Sequence, residues 1–255
     1  IDELCDLNIK KIYYYKKDKE IDFENLFYSP SKLKYMFDHE YRYITSRDEH
    51  INYRYKFEDI LGKGAYGDVI RCIDYKDFIN VAIKINKNAS YYYESYINEL
   101  KILKLVKNSE YCINYIDEFK FRGHNCIVMK LYSSNLLGTK FKNFNLEGKI
   151  IVLKNVLKAL DYLKSKYIIH GDLKPDNILF KNNIETDYSC VLGDFGLSKI
   201  KHDEKVNYRS NIQTIWYRSP EIFFKIPFNE SIDMWSYGIL FYELLFNINL
   251  IRTKK

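Results

Sequence analysis

Asp172, Lys174 and Asn177 stand close together in Ile169-His170-Gly171-Asp172-Leu173-Lys174-Pro175-Asp176-Asn177-Ile178-Leu179. They sit in an apolar frame, since Ile168, Ile169, Leu173, Ile178 and Leu179 are set to bury and Pro175 stiffens the turn. Held rigidly toward one point, they offer a proton acceptor, a cation and a metal ligand. Phosphoryl transfer needs that set, because positioning and charge stabilisation carry most of its catalysis. A second carboxylate, Asp194, follows the apolar run Cys190-Val191-Leu192-Gly193 and precedes Phe195-Gly196. Alone this tripeptide reads as a β-turn. After the Asp172 loop it joins Asn177 as a second hard oxygen for Mg²⁺, an ion that takes few protein ligands and keeps several waters.

Such chemistry also needs a hold on phosphates. Leu61-Gly62-Lys63-Gly64-Ala65-Tyr66-Gly67-Asp68-Val69 carries a G-x-G-x-x-G pattern, which alone fits a hairpin or a dinucleotide turn. A dinucleotide unit would continue into a helix. Here Val69 to Asp74 and Val81-Ala82-Ile83-Lys84-Ile85 both read as strands. Strand, glycine loop, strand and a strand bearing Lys84 make an antiparallel cover for nucleotide phosphates, with glycines letting the backbone approach. A buried Lys84 wants a carboxylate. Glu99 is the better framed candidate, in a stretch with Ile97, Leu100, Leu103 and Val106 at helical spacing; Glu94 is the alternative.

The remaining elements follow from periodicity. Tyr53, Tyr55 and Phe57 alternate with charged residues as a half-buried strand does, and Cys126 to Met129 reads as a central strand leading into Lys130-Leu131-Tyr132-Ser133-Ser134-Asn135. Leu146 to Lys164 is a helix, apolar at Ile150, Val152, Leu153, Val156, Leu157, Leu160 and Leu163. Met234 to Ile251, interrupted by Glu243, Asn247 and Asn249, reads as a buried helix rather than a membrane span, with Ser231 or Asp233 as its cap. Residues 1–50 show no clear period beyond a short helix expected behind Ser31.

Composition narrows the class. In 255 residues, 47% apolar, there is ample material for a folded core, and 25 Tyr and 16 Phe read as compositional bias. A net charge of +6, with 40 basic and 34 acidic residues interspersed, forms no basic stripe, so nucleic-acid binding is not expected. No signal-peptide pattern opens the chain at Ile1, and no membrane partner is expected. Cys5, Cys72, Cys112, Cys126 and Cys190 form no CxxC pair and read as free buried thiols in a reducing compartment.

Taken in order, the glycine loop, Lys84, Glu99, the Asp172 loop, Asp194-Phe195-Gly196 and Ser219-Pro220-Glu221 resemble a eukaryotic protein kinase from about Tyr53 onward. Finer features fall in the CMGC group. Asp48 to Tyr55 is similar to the segment preceding the core in dual-specificity tyrosine-regulated kinases. Lys87 to Tyr91 and Pro227 to Trp235 are similar to their homeodomain-interacting relatives, and Ile212-Gln213-Thr214 fits the wider group that includes cyclin-dependent kinases. The resemblance implies a bilobal α+β fold, with an extension over 1–52 and a kinase domain over 53–255, its lobes meeting near 132. It implies transfer of the γ-phosphoryl of ATP, with Mg²⁺, to Ser/Thr of protein substrates, tyrosine being modified only in cis, in the cytoplasm or nucleus. Leu61 to Val69 would cover the nucleotide, with Ala82, Met129, Lys130, Tyr132 and Asn135 around its base. Lys84 and Glu99 would serve the phosphates, Asp172 and Lys174 the transfer, and Asn177 and Asp194 the metal. Arg218 lies where relatives set the pocket for Pro after the target residue.

Three departures qualify that picture. Gly171 replaces the usual Arg, Asn211 stands where relatives carry an autophosphorylated tyrosine, and the chain stops soon after the Asp233 helix, leaving Glu221 without its usual Arg. Truncation predicts uncovered apolar surface at Phe241, Leu244 and Leu245, and hence aggregation or a regulatory partner covering the C-lobe. Without Arg at 171, activation by an upstream kinase is not expected, although Tyr208 and Arg209 offer a shifted phosphate and a fixed charge. Two other classes remain open at this level: His-Gly-Asp with a following Asn also resembles small-molecule phosphotransferases, and a truncated kinase could serve as a binding pseudokinase.

Overall fold

A computed structural model describes residues 40–45, 49–139, 144–183, 187–201, 212–248 and 250. The sequence expectations for Ser31, Tyr208, Arg209 and Asn211 lie outside the described residues. The chain divides into two compact units, Ile1–Tyr96 with Tyr115–Leu131, and Ile97–Asn114 with Tyr132–Lys255. A β-rich unit and a helical unit match the α+β content expected from the sequence.

The first unit is a six-stranded antiparallel sheet. Its strands are β1 (His50–Ile51), β2 (Tyr55–Lys63), β3 (Gly67–Asp74), β4 (Ile79–Asn86), β5 (Tyr115–Phe121) and β6 (His124–Lys130), in the order β1-β2-β3-β4-β6-β5. Period-two burial sets the register, because a slip of one residue would turn each apolar side chain to the wrong face. Tyr55, Ile70, Cys72, Val81, Ile83, Ile85, Phe121, Cys126 and Val128 form its core. Tyr53 heads the expected alternation but sits in a turn, with φ 52°, and is buried by that turn. Tyr43 and Ile51, from the segment assigned to the extension, join the same core. Arg122 ties that segment down, donating through Nη1 to Glu49 Oε1 at 2.8 Å and to the Tyr43 hydroxyl at 3.0 Å.

Helix α1 (Ser90–Val106) starts in the first unit and continues in the second. It begins well before the Ile97 turn that the sequence period brings out. In the second unit α2 (Leu146–Ser165) is capped by Asn145, whose Oδ1 accepts from Gly148 N at 2.8 Å. Of its expected apolar face, Val152, Leu153, Val156, Leu160 and Leu163 are buried, while Ile150 and Leu157 face outward. The short strands β7 (Ile168–Ile169) and β8 (Ile178–Phe180) flank the Asp172 loop and pair with β10 (Lys199–Ile200) and β9 (Cys190–Leu192). A four-residue helix α3 (Pro220–Phe223) precedes α4 (Ser231–Phe246).

Three expectations about α4 change. It ends at Phe246, where Asn247 takes a left-handed cap at φ 56°, instead of running to Ile251. Neither Ser231 nor Asp233 caps it: Ser231 N donates to Asn229 Oδ1 at 2.8 Å, and Asp233 is buried elsewhere. Leu244 is buried and only Phe241 of the expected trio is exposed, with Leu245 between. Glu243, which interrupts the apolar run, is buried and accepts from the Tyr217 hydroxyl at 2.6 Å. Among the described residues no helix is long and apolar enough to cross a membrane. Cys72, Cys112, Cys126 and Cys190 are free and buried, and burial pushes the thiols of Cys112 and Cys190 up to about 12.

Candidate active site

Asp172 lies at the end of a chain of hydrogen bonds that begins in α4. Asp233, 4% exposed, accepts His170 N on Oδ2 at 2.7 Å and Gly171 N on Oδ1 at 2.9 Å. Burial pushes its carboxyl above the ordinary value, while the two amides and His170 oppose that push. The His170 ring spans the loop, with Nε2 3.0 Å from Gly193 O and Nδ1 3.2 Å from Asp172 N. These contacts fix the tautomer: Nε2–H donates to the carbonyl, and Nδ1 accepts from the amide. Gly171 has φ +74°, and a Cβ there would lie 3.0 Å from Leu197 O, so the backbone favours glycine.

The Asp172 carboxylate is then shared out. Oδ1 accepts Thr214 N at 2.9 Å and Thr214 Oγ1 at 2.7 Å, while Oδ2 accepts Lys174 Nζ at 2.7 Å. Lys174 also donates to Thr214 Oγ1 at 2.9 Å. Asn177, in the 3₁₀ turn Pro175–Asn177, donates Nδ2 to Asp172 O at 2.8 Å and to Oδ2 at 3.2 Å. Its amide nitrogen is thereby turned inward, which leaves Oδ1 as the outward acceptor. The sequence grouping of Asp172, Lys174 and Asn177 is one cluster in three dimensions. Thr214, which completes it, stands in the Ile212-Gln213-Thr214 resemblance, but nothing in the sequence places it beside Asp172.

Asp194 follows β9 with φ 58°, a left-handed conformation costly for a non-glycine residue and often found where function demands it. Its side chain is exposed, and Gly196 N lies 3.4 Å from its Oδ1. Phe195 beside it is fully buried against the His170 ring at 5.3 Å. Among the described residues no group of three or more His, Cys, Asp or Glu side chains forms a metal cluster. One outward amide oxygen and one exposed carboxylate fit an ion that fills most of its sphere with water and phosphate.

In the sheet unit the glycine loop is the β2–β3 connection, closed by Gly64 N donating to Gly67 O at 2.8 Å. Its glycines differ in purpose. A Cβ on Gly67 would come within 2.2 Å of Ile85 O, so packing of β3 on β4 requires that glycine. A Cβ on Gly62 would meet nothing within 4 Å, so the fold does not require it and room is kept beside the backbone. Leu61, Lys63 and Ala65 are exposed, Tyr66 and Val69 half-buried. Lys84, on β4, pairs with Val69 and Ile127 and is 8% exposed. Ala82 and Met129 face each other across β4 and β6, both buried, and Lys130 is exposed at the strand end.

In the helical unit Glu99 is buried on α1. The Tyr132 hydroxyl accepts Asn114 N at 3.2 Å and so ties two distant stretches together, while Asn135 Oδ1 accepts Gly138 N at 2.7 Å and supports its own turn. Further along, Gln213 has φ 65°. Its side chain donates to Ile232 O and Ser236 Oγ at 2.8 and 2.9 Å and accepts Ser219 N at 2.8 Å. Its carbonyl accepts Arg218 Nη2 at 2.9 Å and Nε at 3.3 Å. The Arg218 expected to set a pocket therefore grips a left-handed residue. Gln213 and Asp233 support the site in roles other than the family stretch and the helix cap expected of them, and a buried glutamine and a buried aspartate are the kind of polar groups that must find such partners.

Residues 55–255 match the model of the family described as protein kinase domain. Over 227 residues the chain is 35% identical to human dual specificity tyrosine-phosphorylation-regulated kinase 4, which covers 85% of this chain and 43% of that protein. Against the DYRK-family kinase pom1 of Schizosaccharomyces pombe it is 36% identical over 206 residues, 77% of this chain and 18% of that one. The serine/threonine-protein kinase ppk5 of the same yeast is 35% identical over 218 residues, 82% and 25% of the two chains. The chain thus spans less than half the length of each of these relatives.

Proposed function

The chain belongs to the protein kinase family, with its likeness among the DYRK kinases, and on that premise we propose that it transfers the γ-phosphoryl of ATP to Ser or Thr of proteins. The observation that carries this reading is the Asp172 cluster, in which carboxylate, ammonium and amide converge on one point. Asp172 accepts the proton of the incoming hydroxyl, and its bonds to Thr214 hold that carboxylate in one orientation. Lys174 neutralises charge on the phosphoryl as it moves. Lys84, with Glu99 as its carboxylate, is assigned to the α- and β-phosphates, because a buried ammonium and a buried carboxylate each need an opposite charge. Asn177 and Asp194 are the residues that would hold Mg²⁺, which when bound neutralises phosphate charge. Leu61 to Val69 covers the nucleotide, and Ala82, Met129, Lys130, Tyr132 and Asn135 are assigned to the base. The buried free thiols support action in a reducing compartment, cytoplasm or nucleus.

Preference for proline after the phosphorylated residue is part of the proposal. Gln213 O is turned to Arg218, so it is engaged and offers nothing to the N–H of a substrate residue. An ordinary residue there would bury an N–H without a partner, at about 1–3 kcal/mol, whereas proline has no N–H to lose. The test of transfer is a γ-³²P-ATP assay on a basic protein and on the chain itself, with Asp172→Asn and Asp194→Asn as controls. Transfer that survives both substitutions overturns the assignment. A peptide library with no enrichment of proline at the following position overturns the specificity.

A further inference from the structure

Residues 40–45 lie across the glycine loop as a strap, and Arg42 is its tie. The planar guanidinium uses each edge. Nη2 donates to Gly64 O at 3.0 Å, Nη1 pairs with Asp68 Oδ1, and Nε donates to Glu40 Oε2 at 2.9 Å. The strap is itself anchored beyond the loop, since Tyr41 O accepts Asn88 N at 2.9 Å and Glu40 meets Lys87 Nζ at 3.4 Å. Lys87 N in turn donates to Tyr66 O at 2.9 Å, so the same residues hold the loop's tip. A cavity of about 210 Å³, lined by Ile44, Ile60, Lys63, Ile70 and Ile85 among others, lies beside the strap. Tyr43 seats the strap in the sheet core, whereas Arg42 holds the loop itself through polar contacts.

We infer that Arg42 is a positioning residue that sets the glycine loop for the phosphates of the nucleotide. In a trans peptide the carbonyl and the next N–H point in opposite directions. Fixing Gly64 O on Arg42 therefore fixes Ala65 N–H on the far side, and oriented backbone amides of such loops are what phosphate oxygens bind. Arg42 does this without adding a net field, because Asp68 and Glu40 together balance the charges of Arg42 and Lys87. The inference rests on the kinase reading for its ligand, an ATP-class nucleotide, and adds a segment upstream of the family match to the apparatus that binds it.

The experiment compares wild type, Arg42→Ala, Arg42→Lys, Asp68→Asn and Arg42→Ala/Asp68→Asn in the full chain. Three readouts are taken: equilibrium binding of a fluorescent ADP analogue, hydrogen exchange of residues 61–69, and separate KM values for ATP and peptide. Arg42→Ala is expected to weaken nucleotide binding about five-fold, the scale of a lost partly exposed charge pair. It should speed exchange in the loop and raise KM for ATP, with KM for peptide and Tm unmoved. Arg42→Lys should recover part of the loss, since an ammonium reaches fewer of the acceptors. The double variant should be little worse than either single one. Nucleotide affinity and loop exchange at wild-type levels in Arg42→Ala overturn the strap, as does an equal loss of ATP and peptide affinity with a lowered Tm. Wild type that binds the nucleotide yet transfers nothing overturns the proposed activity alone, because binding and exchange still judge Arg42. Wild type that binds no nucleotide overturns both.

Discussion

Around Asp172 the backbone and side chains are held by other side chains: Asp233 grips two amides, His170 a third, and Thr214, Lys174 and Asn177 divide the carboxylate between them. The glycine loop in the sheet unit is built the other way. Its shape follows from strand register, a backbone closure between Gly64 and Gly67, and contacts lent by the upstream strap. The difference follows the work proposed for each. A proton acceptor must sit within a fraction of an ångström of its target, and a buried, satisfied polar network gives that precision. A phosphate cover must admit and release a nucleotide, and a glycine hairpin can shift at little cost.

The sharpest way to break this comparison is at the acceptor. Asp172→Asn should lower kcat by about 10³-fold or more, as expected for a group that acts on the transferred proton. Stability should fall by about 1–3 kcal/mol, because an amide meets the Thr214 and Lys174 donors with a single acceptor. A loss of rate that only tracks the fraction of unfolded protein at the assay temperature would make Asp172 a structural residue. Asp233→Asn comes next. An amide presents one acceptor and one donor where two N–H groups must be met, so stability should fall by about 2 kcal/mol in a denaturant titration. kcat should fall about tenfold with KM for ATP nearly constant, since loop geometry and not nucleotide contact is lost.

The glycine loop is sharpened by a matched pair. Gly67→Ala forces a Cβ against Ile85 O and should cost about 1–3 kcal/mol, read as a Tm lowered by several degrees. Gly62→Ala meets open space and should leave stability within about 0.5 kcal/mol, yet raise KM for ATP. If Gly62→Ala binds nucleotide normally, the space beside it is not the phosphate path. The smallest effect concerns the sheet alone. Burial holds the imidazole of His124 below its ordinary 6.5, with Nδ1 2.8 Å from Asn86 O. Below that pH the unfolded chain binds a proton that the folded chain resists, so stability should decline as pH falls from about 6.5 toward 5.5. Tm against pH should flatten in this interval for His124→Gln.

Much of the frame was legible because the period of a strand and of a helix is written in side-chain types. Val81 to Ile85 and Cys126 to Met129 are apolar runs too short for helices, and α2 starts at the expected Leu146. The start of α1 was hidden by Tyr91, Tyr92 and Tyr93, aromatic residues that favour strands when context is ignored. The end of α4 was hidden because Asn247 looks like any polar interruption until its backbone is seen to turn left-handed. Asp172, Lys174 and Asn177 were readable from spacing alone, being neighbours in the chain. Thr214 and Asp233 were not, since each reaches the loop from more than 40 residues away, by a path that only the tertiary fold creates.

The grip of Asp233 on the amides of His170 and Gly171 also ties two timescales together. Those N–H groups can reach solvent only when the bond to a carboxylate on α4 is broken, and α4 buries Ile232, Ile239, Leu240 and Leu244 in its unit. Their exchange with deuterium should therefore report the opening of a whole cooperative block and carry its steep dependence on denaturant, although they belong to a loop. A loop protected in that way has no shallow unfolded excursion of its own. The geometry at Asp172 is then kept for as long as that block stays folded.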